Sequence, residues 1–152
     1  MSATPVTHLN FRGEARAALE YYAGAFGGQA VVRTYGDVGM PAGLPDTDKV
    51  VFGQVFADNG FTLMAYDVPG GGRSLHDNET RRENGTTITD EPFFLALQAG
   101  SLDEATECWE ALAGQSTVIE PLAASAWSAG FGMLTDRFGI TWSISVVDRQ
   151  QD

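Results

Sequence analysis

Gly60-Phe61-Thr62-Leu63-Met64-Ala65 reappears, at a shift of 79 residues, as Gly139-Ile140-Thr141-Trp142-Ser143-Ile144. Each copy opens on a turn glycine and continues as a short run rich in β-branched and apolar residues, the pattern of a strand leaving a turn. Two helical segments repeat as well, at a shift of 87, pairing Ala18 with Ala105, Glu20 with Glu107, Tyr22 with Trp109 and Gly27 with Gly114. Matches that keep the same order in both halves indicate a duplicated module.

The elements around these matches complete the module. Val6–Phe11 alternates as a strand, with Leu9 and Phe11 on one face and His8 and Asn10 on the other. Ala15, Ala18, Leu19, Tyr22 and Phe26 fall at helical spacing, and Gly27-Gly28 supplies the stop. Strands follow at about 30–35, 49–57 and 61–66, the last two joined by Asp58-Asn59-Gly60, a hairpin turn. The second half repeats the order. A strand at about 92–99 leads into the capping box Ser101-Leu102-Asp103-Glu104 and a helix to about Ala113, and strands follow at about 117–122, 130–135 and 140–147. The expected class is α+β, with two tandem βαβββ modules. One domain is expected over 1–152, with module 1 at about 5–67, a polar loop at about 68–90 and module 2 at about 91–147.

Composition narrows the function. The chain has 152 residues with 9 Lys plus Arg against 20 Asp plus Glu, a net charge of −11, and no basic block, so nucleic acid and anionic membranes are poor partners. Its 43% hydrophobic content is that of a folded chain. No apolar run reaches the roughly 20 residues that span a bilayer and no signal peptide is visible, so a cytoplasmic location is expected. Cys108, the one cysteine, rules out an internal disulfide framework.

Two segments resemble the PhnB-like branch of the vicinal oxygen chelate superfamily, which includes glyoxalase I, bleomycin-resistance proteins and extradiol dioxygenases. One is His8-Leu9-Asn10-Phe11-Arg12-Gly13 running on to Phe26-Gly27-Gly28. The other, more specific, is Trp127-Ser128-Ala129-Gly130-Phe131-Gly132 followed by Asp136-Arg137-Phe138-Gly139-Ile140-Thr141-Trp142. The resemblance covers nearly the whole chain and implies that the tandem modules form a curled mixed sheet with a central concave cleft, as well as a homodimer. PhnB-like members often carry a demethylubiquinone methyltransferase label. Gly70-Gly71-Gly72 offers no methyl-donor cradle, because it lies in a polar loop with no helix pattern behind it.

The resemblance also implies four strand positions at which metal-dependent members hold an ion with His, Glu or Gln. Here His8 takes the first; the others fall at Met64, at Phe94 or Leu95, and at Ser143. One donor of four does not hold a divalent ion, since a catalytic site needs about three protein ligands. His76, beside Asp77 and Glu79, could be recruited from the loop, although a solvated turn accounts for that cluster more simply. Asp136 reads as a cap of the Phe138-Gly139 turn. Cys108, on the apolar side of its helix beside Trp109, reads as a packed small hydrophobe.

The expected cleft wall is His8, Asn10, Thr62, Met64, Phe94, Trp127, Trp142 and Ser143, with Trp142 equally compatible with the core. That mixture suits a small organic molecule better than a hydrated ion. The leading expectation is therefore a PhnB-like small-molecule-binding protein without metal or other cofactor, its ligand unspecified. His8 is the candidate general acid/base should a reaction occur. The alternative is a divalent-metal-dependent lyase or dioxygenase with His8 as one ligand. Whether the chain is an enzyme stays open.

Overall fold

The structure, a computed structural model, describes residues 2–76, 79–126 and 128–147. The chain divides into two compact units, Met1–Leu75 and His76–Asp152.

In the first unit, β1 (Thr7–Phe11), α1 (Ala15–Phe26), β2 (Gly28–Thr34), β3 (Val50–Ala57) and β4 (Thr62–Asp67) follow one another, with a 3-10 turn at Gly36–Val38. The sheet order is β1-β4-β3-β2, with β1 parallel to β4 and the other pairs antiparallel. α1 buries Ala15, Ala18, Leu19 and Tyr22 completely against Leu9, Phe11, Val55, Leu63 and Ala65 of the strands. Each large apolar side chain so buried contributes about 2–3 kcal/mol, which is how a 12-residue helix of modest intrinsic stability is held. Gly27, at φ 67°, ends it in the left-handed conformation.

The two helices start differently. Glu14, at the N-cap of α1, makes no side-chain capping bond. The orphan N–H groups are met by Asp67 at the end of β4, whose Oδ1 accepts from Gly13 N at 2.7 Å and Ala15 N at 3.1 Å, while Oδ2 accepts from Val50 N at 2.9 Å. A side chain 52 residues away thus ties helix to sheet.

The second unit adds β5 (Thr80–Glu83), β6 (Thr86–Thr89), β7 (Leu95–Ala99), α2 (Leu102–Ala113), β8 (Thr117–Ala123), β9 (Phe131–Thr135) and β10 (Thr141–Val146). Its main sheet has the order β7-β10-β9-β8, the first unit's topology repeated. α2 carries a local cap: Ser101 Oγ accepts from Glu104 N at 3.2 Å, and Glu104 Oε2 accepts from Gly100 N at 3.0 Å.

The duplication extends to packing. Gly53 of β3 and Gly132 of β9 lie 79 residues apart and both face their helix. A Cβ at Gly53 would run into Leu19 and the Ala65 carbonyl; at Gly132 it would run into Trp109 and the Leu122 backbone. Glycine at this position lets the helix settle onto the sheet in both modules.

The loop expected at about 68–90 is corrected in part. Thr80–Glu83 and Thr86–Thr89 form a two-stranded hairpin across Asn84-Gly85, with φ values of 51° and 75°. Both turn residues are left-handed, the requirement of a tight primed hairpin turn, which Asn-Gly satisfies at little cost. The earlier Gly70–Gly72 stretch is irregular but held: Lys49 Nζ donates to Gly70 O and Arg12 Nη1 to Gly71 O, both at 3.1 Å, and Gly70 N donates to Asp46 Oδ2 at 3.0 Å.

Candidate functional site

Alternation divides each sheet into a helix side and an open side. On the first unit, β1 presents His8 and Asn10 to the open side, β4 presents Thr62, Met64 and Tyr66, and β3 presents Phe52, Gln54 and Phe56. His8 stands directly beside Met64 in the parallel register, and Asn10 beside Tyr66. His8 Nδ1 and Asn10 Oδ1 are 3.1 Å apart, and the imidazole meets the Tyr66 ring edge-on with centroids 5.3 Å apart. Gln54 Nε2 donates to Thr62 Oγ1 at 3.0 Å. Phe56 is 52% exposed, Val31 of neighbouring β2 45% and Phe52 38%, so large apolar side chains lie uncovered around these polar groups. The structure thereby brings four of the expected residues, His8, Asn10, Thr62 and Met64, onto one accessible surface. Sequence reading missed Phe52 and Gln54. The signal was available, because the Asp58-Asn59-Gly60 turn fixes the parity of β3 against β4.

The open side of the second unit is built from the matching positions and is covered at Met133 and Ser143, while Ala96 and Gln98 of β7 stay exposed. Phe131 and Met133 stand where the first unit has Phe52 and Gln54, and Ser143 stands where it has Met64. Met133 is 1% exposed and Ser143 9%. Thr87 of β6 donates to the Met133 sulfur at 3.5 Å, and the Arg82 guanidinium of β5 lies 4.9 Å from the centre of the Phe131 ring. Trp142 belongs to the other side: it is fully buried, and its Nε1 donates to Asp136 Oδ2 at 2.9 Å. Its expected place on a cleft wall is thus corrected to the core, the second of the two placements its strand allowed. Phe94 precedes β7 and is half-buried. The register pairs Ser143 with Ala96, so the counterpart of His8 is Ala96 rather than Phe94 or Leu95. Trp127 lies outside the described residues.

The buried carboxylates are structural. Asp67 caps α1, and Asp136 Oδ1 accepts from Phe138 N at 2.8 Å and Ile140 N at 3.1 Å, the turn cap its sequence suggests. Tyr35 donates to Asp67 O at 2.7 Å; burial, with the neighbouring Tyr66 and Asp67, raises its pKa above the usual phenol value. At Cys108, burial and then Glu104 and Glu107 push the thiol pKa up, the opposite of an activated nucleophile.

A divalent ion fits these residues poorly. Met64, Ala96 and Ser143 bring no carboxylate or imidazole to stand with His8. Among the described residues no group of three His, Cys, Asp or Glu side chains lies together. His76 packs its backbone and Cβ against Gly139 in the turn that Asp136 caps, and its neighbour Asp77 lies outside the described residues. No helix among the described residues is long and apolar enough to cross a membrane.

Two sheets of identical order, each backed by one helix and each with a face free of helices, define the class. Residues 6–144 match the sequence pattern of the Glyoxalase/Bleomycin resistance protein/Dioxygenase superfamily, and the chain belongs to it. Protein YjdN of Escherichia coli (strain K12) is 24% identical over 145 residues, spanning 94% of this chain and 95% of its own length. Among solved structures, protein PA1353 from Pseudomonas aeruginosa is 29% identical with a TM-score of 0.73, covering 97% of this chain and 99% of that one. A PhnB protein from Bacillus cereus, labelled a 3-demethylubiquinone-9 3-methyltransferase, shares the fold at 21% identity and a TM-score of 0.69, covering 95% and 100%.

Proposed function

We propose that this chain binds a small, largely apolar organic molecule against the open face of its first module, without a metal ion of its own. The observation that carries this reading is the grouping of His8, Asn10 and Tyr66 with Met64 and the exposed Phe52 and Phe56 on one sheet face. Uncovered aromatic surface with a few placed polar groups is the usual make-up of an organic-ligand site. With Nδ1–H donating to Asn10 Oδ1, the His8 ring keeps Nε2 as an acceptor for a ligand hydroxyl or amide. If a reaction accompanies binding, that nitrogen is the proton carrier.

Thr62 and Gln54 satisfy each other and add a polar edge. A homodimer in the cytoplasm completes the proposal. β1 is the edge strand of its sheet, where a second copy can pair without covering the proposed ligand face.

A thermal-shift screen of small aromatics and antibiotics tests the binding claim. A ligand stabilises by mass action, and the stabilisation should vanish in Met64→Arg and weaken in His8→Ala. Calorimetric titration of chelator-treated protein with Zn, Ni, Mn and Fe(II) tests the other half. One ion per chain bound at micromolar concentration, and lost in His8→Ala, would overturn the metal-free reading in favour of a metal-dependent lyase or dioxygenase. Light scattering checks the dimer.

A further inference from the structure

Asn-Gly occurs twice in the chain, as Asn59-Gly60 and Asn84-Gly85, each at the tip of a hairpin. Both pairs are exposed, so access to water does not distinguish them. Hydrogen bonding does. At the first turn Gly60 N donates to Ala57 O at 3.0 Å, and Asn59 Oδ1 accepts from Phe61 N at 3.0 Å. The backbone amide and the carboxamide are thereby each tied down, and neither is free to turn toward the other. At the second turn, no hydrogen bond among the described residues engages the Asn84 carboxamide or the Gly85 N–H. Asn84 also sits at φ 51°, a left-handed backbone uncommon for a residue with a side chain, and open space surrounds Gly85 where a Cβ would stand. The flanking strands have four residues each, too few to hold a hairpin rigidly by themselves, so rotation within the turn needs only a local opening.

We propose that Asn84 is a site of spontaneous deamidation and isoaspartate formation, with water as co-reactant, and that Asn59 is protected by its turn. The Gly85 amide nitrogen attacks Asn84 Cγ. The N–Cγ bond forms, the Cγ–Nδ2 bond breaks, and ammonia leaves carrying the former Gly85 amide proton. Water then opens the cyclic imide at either carbonyl, giving aspartate or isoaspartate; nothing is oxidised or reduced. Glycine is needed on the attacking side because it lacks a Cβ to obstruct ring closure. The two products differ in consequence. Asp-Gly suits the same primed turn, whereas isoaspartate adds a methylene to the main chain and breaks the Glu83–Thr86 pairing that closes it.

Ageing the folded full chain at mildly alkaline pH, followed by digestion and mass spectrometry, decides it. Asn84 should convert at least ~10-fold faster than Asn59. In concentrated urea, where both turns are lost, the two sites should react at similar rates. Asn84→Gly, which keeps a residue suited to a primed turn, should remove most of the isoaspartate detected by an isoaspartate-specific carboxyl methyltransferase, and Asn59→Gly should leave it unchanged. Equal conversion of the two sites in the folded chain, faster conversion of Asn59, or a ratio that persists in urea would overturn the proposal. Isoaspartate undiminished in Asn84→Gly would do the same.

Discussion

The two modules share one topology and, across their last strands, one register, yet they treat the same face in opposite ways. Gln54 in the first is half-buried beside Met64; its counterpart Met133 is sealed beside Ser143. Phe52 is open to solvent, whereas its counterpart Phe131 lies under Arg82. His8 and Asn10 on β1 correspond to Ala96 and Gln98 on β7. One copy of the module thus carries an imidazole, a phenol and uncovered aromatic rings on its face, while the other has no imidazole there and has Phe131 and Met133 under a hairpin. A duplicated fold divides its labour by side chain, because the backbone scaffold is set by the helix side and leaves the other side free to diverge.

The helix side should fail first when perturbed. Trp142→Ala removes a fully buried indole and leaves Asp136 Oδ2 without that donor, and should cost about 3–5 kcal/mol. Its counterpart Leu63→Ala, also fully buried, should cost about 2–4 kcal/mol. Urea unfolding curves measure both, and a loss below about 1 kcal/mol at either site would contradict its buried position. On the open sides the asymmetry itself can be tested. Met133→Lys buries an uncompensated charge and should cost about 3 kcal/mol, against less than about 1 kcal/mol for Gln54→Lys. A small loss at Met133 would contradict its sealed position.

The turn glycines sharpen the comparison further. Gly60 and Gly139 occupy matching positions, at φ 88° and 84°. Around Gly60 there is open space, so Gly60→Ala should cost only the left-handed penalty of about 1 kcal/mol. At Gly139 a Cβ would collide with the His76 backbone, and Gly139→Ala should lose about 2–3 kcal/mol in the same assay. The smallest effect lies on α2. With its thiol pKa raised by burial, Cys108 should react slowly with iodoacetamide at neutral pH, and labelling should climb only at a pH above that of an exposed cysteine. Fast labelling at pH 7 would contradict its packed position.

Much of the fold was legible because the two periods, 3.6 and 2, are written by the core. α2 starts and ends where the capping box and the apolar spacing place it, at Leu102 and Ala113. Strand ends were less legible: β2 runs Gly28–Thr34, two residues earlier than its β-branched run suggests, because pairing with β3 extends it through Gly28 and Gln29. The β5–β6 hairpin was missed although Asn84-Gly85 is the same signal as Asn59-Gly60. Its strands are polar on both faces, and without hydrophobic alternation a polar hairpin reads as a loop.

His8, Asn10, Thr62 and Met64 could be placed on one face by alternation within β1 and β4. What only tertiary structure decided was exposure. Nothing within Trp142 or Met133 says which stays in the core and which gains a cover, because that depends on a register set by a partner strand and on a hairpin arriving from elsewhere in the chain. The sequence by itself determined a duplicated scaffold, since every helix-side position must bury its side chain to fold. Which face remains uncovered is settled by contacts between residues far apart in sequence, and those no local pattern encodes.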